Sequence, residues 1–132
     1  MDTTTLKAWI EKRGFDVKIE GLHLLRVAWS APFADKRPLP PLFVQVTDNW
    51  VVLSVLQVEV APAYALVGLM RSLLHFNRKM RLAKFAFGEA DEVVLCAELP
   101  TESLDEPELA SALDVLLDSL KWYGDYGQKL HR

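Results

Sequence analysis

The chain has 132 residues, 51% hydrophobic and 25% charged, which fits a single globular domain over residues 1–132. Its net charge of −3 is unevenly spread, because residues 1–84 carry 12 Lys and Arg against 7 Asp and Glu, whereas residues 85–120 carry 10 Asp and Glu and no Lys or Arg. This pattern argues against nucleic acid as a partner. No apolar run approaches the roughly 18 residues of a membrane span, and the first residues lack the pattern of a signal peptide. The single cysteine excludes an internal disulfide. We therefore expect a cytoplasmic protein that binds neither nucleic acid nor membrane.

The first part of the chain is predicted to be a helix followed by extended structure. Residues 3–13 place their apolar side chains on one helical face, and Gly14 can end that helix. Apolar and polar residues then alternate over residues 15–29, which indicates strand. Gly21 interrupts the alternation, so this segment is either one bulged strand or a tight hairpin. Residues 31–41 contain four prolines and are predicted to form a stiff loop, although a Pro-rich ligand for aromatic grooves would have a similar composition.

The rest of the chain is predicted to alternate hairpins and helices. Residues 42–46 and 50–60 are expected to pair as one hairpin, and residues 83–87 and 93–99 as another. Residues 50–53 are apolar on both faces, as in a central strand covered by helices. One apolar helix lies between the hairpins, and a leucine-rich helix follows the second. The order α-β-β-β-α-β-β-α indicates an α+β fold, an antiparallel sheet of about five strands with helices packed on it.

The sequence shows no set of residues organised for chemistry. The common nucleophile, phosphate-binding, dinucleotide-binding and zinc-protease motifs do not occur, and the three histidines are scattered. Glu89, Asp91 and Glu92 lack the regular spacing of a calcium loop. Cys96 lies in an apolar strand, where a buried, inert thiol is expected. We therefore predict no catalytic, cofactor-binding or metal-binding residues, and a protein that is not an enzyme.

Three segments, taken together, resemble a known domain type. A leucine-rich helix ends near an Asn in residues 73–77, a Lys-Phe strand follows in residues 83–87, and a strand ending Glu-Leu-Pro lies in residues 93–100 before a long last helix. Over roughly residues 40–130, this order and spacing resemble the YbjN-type domain, which is similar in fold to type III secretion chaperones of the Tir-chaperone class. The resemblance implies a helix and sheet sandwich that commonly dimerises and binds extended segments of client proteins.

Aromatic and leucine side chains are the candidates for protein contact, since large apolar residues are enriched both in cores and at interface hot spots. Two aromatic residues lie at the start of the Pro-rich loop, two lie near the chain end, and two leucines lie in the apolar helix at residues 62–79. Dimerisation through that helix, or through a strand edge, would be isologous. The candidates for a client-binding or dimer surface are Trp29, Phe33, Leu69, Leu73, Trp122 and Tyr123.

Two functions are compatible with this pattern. The first is a chaperone-like, non-enzymatic module that forms a homodimer and receives an extended client segment on an exposed sheet surface or edge. The alternative is a small regulatory or ligand-binding domain that uses a cleft between the C-terminal helix and the sheet. An apolar cavity at that junction would favour the alternative.

Overall fold

The computed structural model describes residues 1–29, 32, 36, 38–60 and 62–125. The elements, in chain order, are α1 (Thr3–Lys12), β1 (Asp16–Gly21), β2 (Leu24–Ala28), β3 (Leu42–Val46), β4 (Trp50–Val60), a 3-10 turn (Ala63–Ala65), α2 (Leu66–Asn77), β5 (Ala83–Phe87), β6 (Glu92–Pro100) and α3 (Glu106–Asp125). None of these helices has the length and apolar content that crossing a bilayer requires. The predicted α+β class is confirmed.

The six strands form one antiparallel sheet in the order β1-β2-β3-β4-β6-β5. The expected number was about five, and the difference arises in residues 15–29, which form a hairpin rather than one bulged strand. Its turn lies at Leu22 and His23, and the register shifts between Ile19 and Gly21. Both later hairpins pair as the sequence predicts. The contact between β4 and β6 joins the two halves of the sheet.

One face of the sheet is apolar, and from β2 to β6 it is almost entirely buried. A row of side chains in register across the strands illustrates it, because Leu25 pairs with Val44, Val44 with Leu53, and Leu53 with Ala97, and all of them are buried. Leucines of all three helices join the same cluster. The alternation of strand side chains therefore supplies one continuous surface on which the helices pack.

The opposite face has a different character. Its central row runs from Arg26 through Phe43, Ser54 and Cys96 to Lys84 in register, and each of these side chains is exposed or half-buried. None of the five belongs to the buried cluster or packs against it. We call this surface, together with the side chains that alternate with the buried ones along β2 to β6 and with Lys18, the β1 partner of Arg26, the open face.

The helices are tied to one another by charge and by aromatic stacking. Arg13 at the end of α1 forms an exposed ion pair with Asp114 of α3, so one acidic residue of the second half of the chain is paired within the chain. Between α2 and α3, the rings of Phe76 and Trp122 stack with centroids 3.7 Å apart and planes within 5°. This stacking fixes the end of α3 against α2.

Asn77, the last residue of α2, replaces the strand partner that the edge strand β5 lacks at Phe85. Its Oδ1 accepts a hydrogen bond from the Phe85 N–H at 2.8 Å, and its Nδ2 donates to the Phe85 carbonyl at 2.8 Å. We expect Asn77→Ala to lower the free energy of unfolding by about 1–3 kcal/mol, because two half-buried backbone groups would lose their partner. Chemical denaturation would measure this, with Asn49→Ala, an exposed asparagine, as control. Equal midpoints for the two variants would contradict this role of Asn77.

Candidate functional site

The open face carries a shallow, mostly apolar depression of about 350 Å³. It is lined by side chains of three neighbouring strands, namely Leu24, Phe43, Gln45, Val52, Ser54 and Leu56. Ser54 is the register partner of Phe43, so a small side chain lies beside a bulky ring in the lining. The pairing of large with small residues therefore creates the depression.

The depression ends at Leu56, where β4 extends beyond the end of its pairing with β3. The pairing between β3 and β4 ends at Leu42 and Val55, and the register between β4 and β6 shifts between Val55 and Glu59. Leu56 therefore lies just past the last β3 pair, and its side chain is exposed. Exposed apolar side chains grouped on a sheet surface typically mark a contact site for another molecule.

The basic residues of the open face differ in whether they have a partner within the chain. The Lys84 ammonium donates hydrogen bonds to the carbonyls of Asn77 and Met80, both at 2.7 Å, so it is held at the end of α2. Arg26 and Lys18 lie directly opposite each other on β2 and β1, and neither takes part in an ion pair within the described residues. Two cations without an ion pair therefore lie opposite each other at the β1–β2 edge, where β1 also carries the exposed carboxylates of Asp16 and Glu20.

The open face carries one cysteine, Cys96. Burial, together with the negative charge of Glu98, raises the pKa of the Cys96 thiol, which keeps it in the protonated, weakly nucleophilic form. Within the described part of the chain, no group of three or more His, Cys, Asp or Glu is placed to hold a metal ion. Apolar contact and the exposed charges are what this surface offers to a partner.

A second depression, of about 390 Å³, adjoins the open face on the side of the Pro-rich loop. Arg26, Ala28 and Trp29 line it together with Pro32, Pro38, Leu39 and Pro41. Trp29 is held there by a 2.9 Å hydrogen bond from its Nε1 to the Pro40 carbonyl and by an edge contact with the Phe15 ring. The described prolines therefore form a wall beside the sheet.

A separate apolar surface lies on the solvent side of α2. Val67, Met70 and Leu74 share one helical stripe and are exposed, with Val67 at 74% and Leu74 at 68%, and Tyr64 precedes them at 87%. Arg71, His75 and Arg78 surround Leu74 in a depression of about 460 Å³. We call the surface of these four apolar residues the outer face of α2.

Comparison with known proteins identifies the family. The model of the Tir chaperone protein (CesT) family matches residues 33–122, which is more than half of the chain. The chain belongs to the CesT family. The comparison with curated protein sequences finds no match.

Solved structures share the fold of this CesT-family chain. A chain of the heterodimeric ExoU–SpcU complex, from the type III secretion system of Pseudomonas aeruginosa, is 21% identical, with a TM-score of 0.64 over 96% of this chain and 98% of that one. YbjN of E. coli is 13% identical, with a TM-score of 0.66 over 96% of this chain and 93% of that one. A chain of the ExsC–ExsE complex is 21% identical, with a TM-score of 0.58 and 96% of both chains covered. At these identities the likeness shows the fold.

Most of the residues proposed from the sequence as contact residues lie on neither the open face nor the outer face of α2. Leu69 and Leu73 are buried in the core, which corrects the expectation that they form a contact surface. Tyr123 is also fully buried, packed against Phe85. All three are buried because they lie on the sides of α2 and α3 that face the sheet.

The remaining candidates have mixed positions. Trp122 is half-buried in its stack with Phe76, so its ring serves the junction between α2 and α3. Trp29 lines the Pro-walled surface depression. Phe33 lies outside the described residues.

The side chains that form the open face were not singled out from the sequence, although a signal for them exists. Residues 50–53 are apolar on both faces, which predicted a central strand covered by helices. The strand β4 is central in the sheet, but its second face is not covered by any of the described helices, because Val52 lies on the open face and Trp50 is exposed. An apolar strand that faces solvent is itself a sign of a binding surface.

Proposed function

We propose that this protein is a non-enzymatic, chaperone-like module that binds an extended segment of a client polypeptide on its open face. The observation that carries the proposal is the apolar depression across β2, β3 and β4 on a sheet face to which none of the described helices contributes core contacts. The family is one of chaperones. The chains of similar fold in the ExoU–SpcU and ExsC–ExsE structures are found in complexes of two different proteins, which supports a protein partner.

The shape of the depression favours an extended segment over a small molecule. Small-molecule sites enclose most of the ligand surface, whereas this depression is shallow and its lining lies on neighbouring strands of a sheet. Strands lie about 4.8 Å apart, and an extended chain places alternate side chains about 6.8 Å apart on one side. Such a segment can insert one apolar side chain while its backbone remains near the surface.

We further propose that the protein is a cytoplasmic homodimer whose two copies meet through the outer face of α2. Four apolar side chains on one face, exposed in the single chain, would be covered by an isologous contact of two such helices. The outer face of α2 and the open face of the sheet have no residue in common. Dimerisation would therefore leave the client-binding surface accessible.

The ligand-binding alternative needs space between α3 and the sheet, and the described structure fills that junction. Leu109, Leu113, Leu116 and Leu120 of α3 are all buried against the sheet cluster. Their packing leaves the open face as the better-supported binding surface.

The proposed client binding is tested by affinity purification with the full chain as bait, followed by mass spectrometry and measurement of the affinity of each captured protein. We expect a protein that binds the chain directly through a short extended segment, and that binds it as a purified peptide. Retention of a small molecule, with no protein or peptide that binds the purified chain, would overturn the proposal.

A further inference from the structure

We infer that the open face selects client segments in which a carboxylate lies about two residues from a bulky apolar side chain. This inference rests on the proposed function and names the chemical class of its client. The apolar side chain occupies the depression beside Phe43, and the carboxylate binds between Arg26 and Lys18. The occupant is thus an acidic, apolar segment of another polypeptide.

The first support is an unfavourable charge arrangement within the free chain. Lys18 and Arg26 are directly opposite on adjacent antiparallel strands, where two like charges repel. Asp16 and Glu20 lie two positions from Lys18 on the same side of β1, yet neither forms an ion pair with Lys18 or Arg26. A carboxylate from a partner would neutralise this pair, and Arg can receive it with two parallel hydrogen bonds.

Arg26 lies between the apolar depression and the Pro-walled depression. It is the register partner of Phe43, which lines the apolar depression, and it lines the Pro-walled depression on its other side. A segment that crosses from one depression to the other therefore passes over Arg26.

The spacing of the strands sets the spacing of the client residues. Ser54 on β4 and Arg26 on β2 are two strands apart, about 9.6 Å. An extended segment advances about 6.8 Å over two residues, and the length of an Arg side chain covers the remainder. A carboxylate two residues from the inserted apolar side chain therefore meets the guanidinium.

The inference is tested with two matched fluorescent peptides, both serine-rich and extended, with Leu-Ser-Asp at the centre of one and Leu-Ser-Lys at the centre of the other. Fluorescence anisotropy would measure the affinity of each for the wild-type chain, Arg26→Glu and Phe43→Ser. We expect the wild type to favour the acidic peptide by about two- to fivefold, as for an exposed charge pair. Arg26→Glu should reverse the preference, Phe43→Ser should weaken both peptides, and about 1 M NaCl should abolish the preference by screening.

The outcomes separate this inference from the proposed function. Equal binding of both peptides, unchanged by Arg26→Glu but weakened by Phe43→Ser, would overturn the acidic selectivity and leave client binding on the open face intact. Failure of both peptides to bind the wild type would overturn the inference, whereas the proposed function is decided separately by the client that the full chain captures. If Arg26→Glu or Phe43→Ser converted a dimer into a monomer in sedimentation, the occupant would be a second copy of the chain, which would also overturn the inference.

Discussion

Leu73→Asp is expected to unfold the domain, whereas the same change at the next residue, Leu74→Asp, should leave it folded and convert the dimer into a monomer. Leu73 is 2% exposed and packs in the core, so a carboxylate there loses its water without gaining a partner. That loss costs several kcal/mol, a large part of the 5–15 kcal/mol that stabilises a typical domain. Leu74 is 68% exposed on the outer face of α2, where a carboxylate remains hydrated in the monomer and becomes costly only in a dimer.

Circular dichroism would report folding in these variants, and sedimentation equilibrium would report their mass. Leu22→Asp is the matched control, because Leu22 is an exposed leucine in the turn between β1 and β2, away from α2. It should remain folded and dimeric. A folded Leu73→Asp protein would show that the side of α2 facing the core has been misassigned, and a dimeric Leu74→Asp protein would exclude the outer face of α2 as the dimer contact.

Phe43→Ser is expected to weaken client binding by about 10- to 100-fold while the chain remains folded. Burial of a Phe side chain contributes about 1.5–3 kcal/mol, and each 1.4 kcal/mol is a factor of ten in affinity. Phe43 is half-buried on the open face and is not part of the buried cluster, so its loss removes contact area for the client and little of the core.

Isothermal titration calorimetry with the client segment captured by the full chain would measure this loss. Leu22→Ser serves as the control for replacing an exposed apolar residue, and it should keep wild-type affinity. Thermal unfolding of both variants would verify that each remains folded. Wild-type affinity in a folded Phe43→Ser protein would place the client elsewhere on the molecule.

The helices were predictable from local periodicity because each has one stripe that must be buried. In α1, Leu6 and Ile10 are buried as expected, and in α3 the leucine spacing matches the buried residues. In α2 the helix was predicted, but the side of it that is buried was not. Leu69 and Leu73 form one apolar stripe, and Val67, Met70 and Leu74 form another, so periodicity alone does not tell which of the two meets the sheet.

The strands were predictable, but their arrangement in the sheet was not. Hairpin pairings depend on neighbouring residues, and both later hairpins formed as expected. The pairing of β4 with β6, in which Trp50 meets Pro100, joins residues far apart in the chain, and no local pattern encodes it. Phe43 and Val52 lie on the predicted β3–β4 hairpin, but that their side stays open depends on all three helices meeting the other side, which no local pattern shows.

Photo-cross-linking from the two proposed surfaces tests client binding and dimerisation most directly, with p-benzoyl-phenylalanine at Val52 on the open face or at Val67 on the outer face of α2. Mass spectrometry of the cross-linked peptides would identify the partner of each position in cells that express the chain. We predict that position 52 cross-links to a short segment of a different polypeptide and position 67 to a second copy of this chain. Cross-linking of position 52 to a second copy, or to no polypeptide while position 67 reacts, would contradict client binding on the open face.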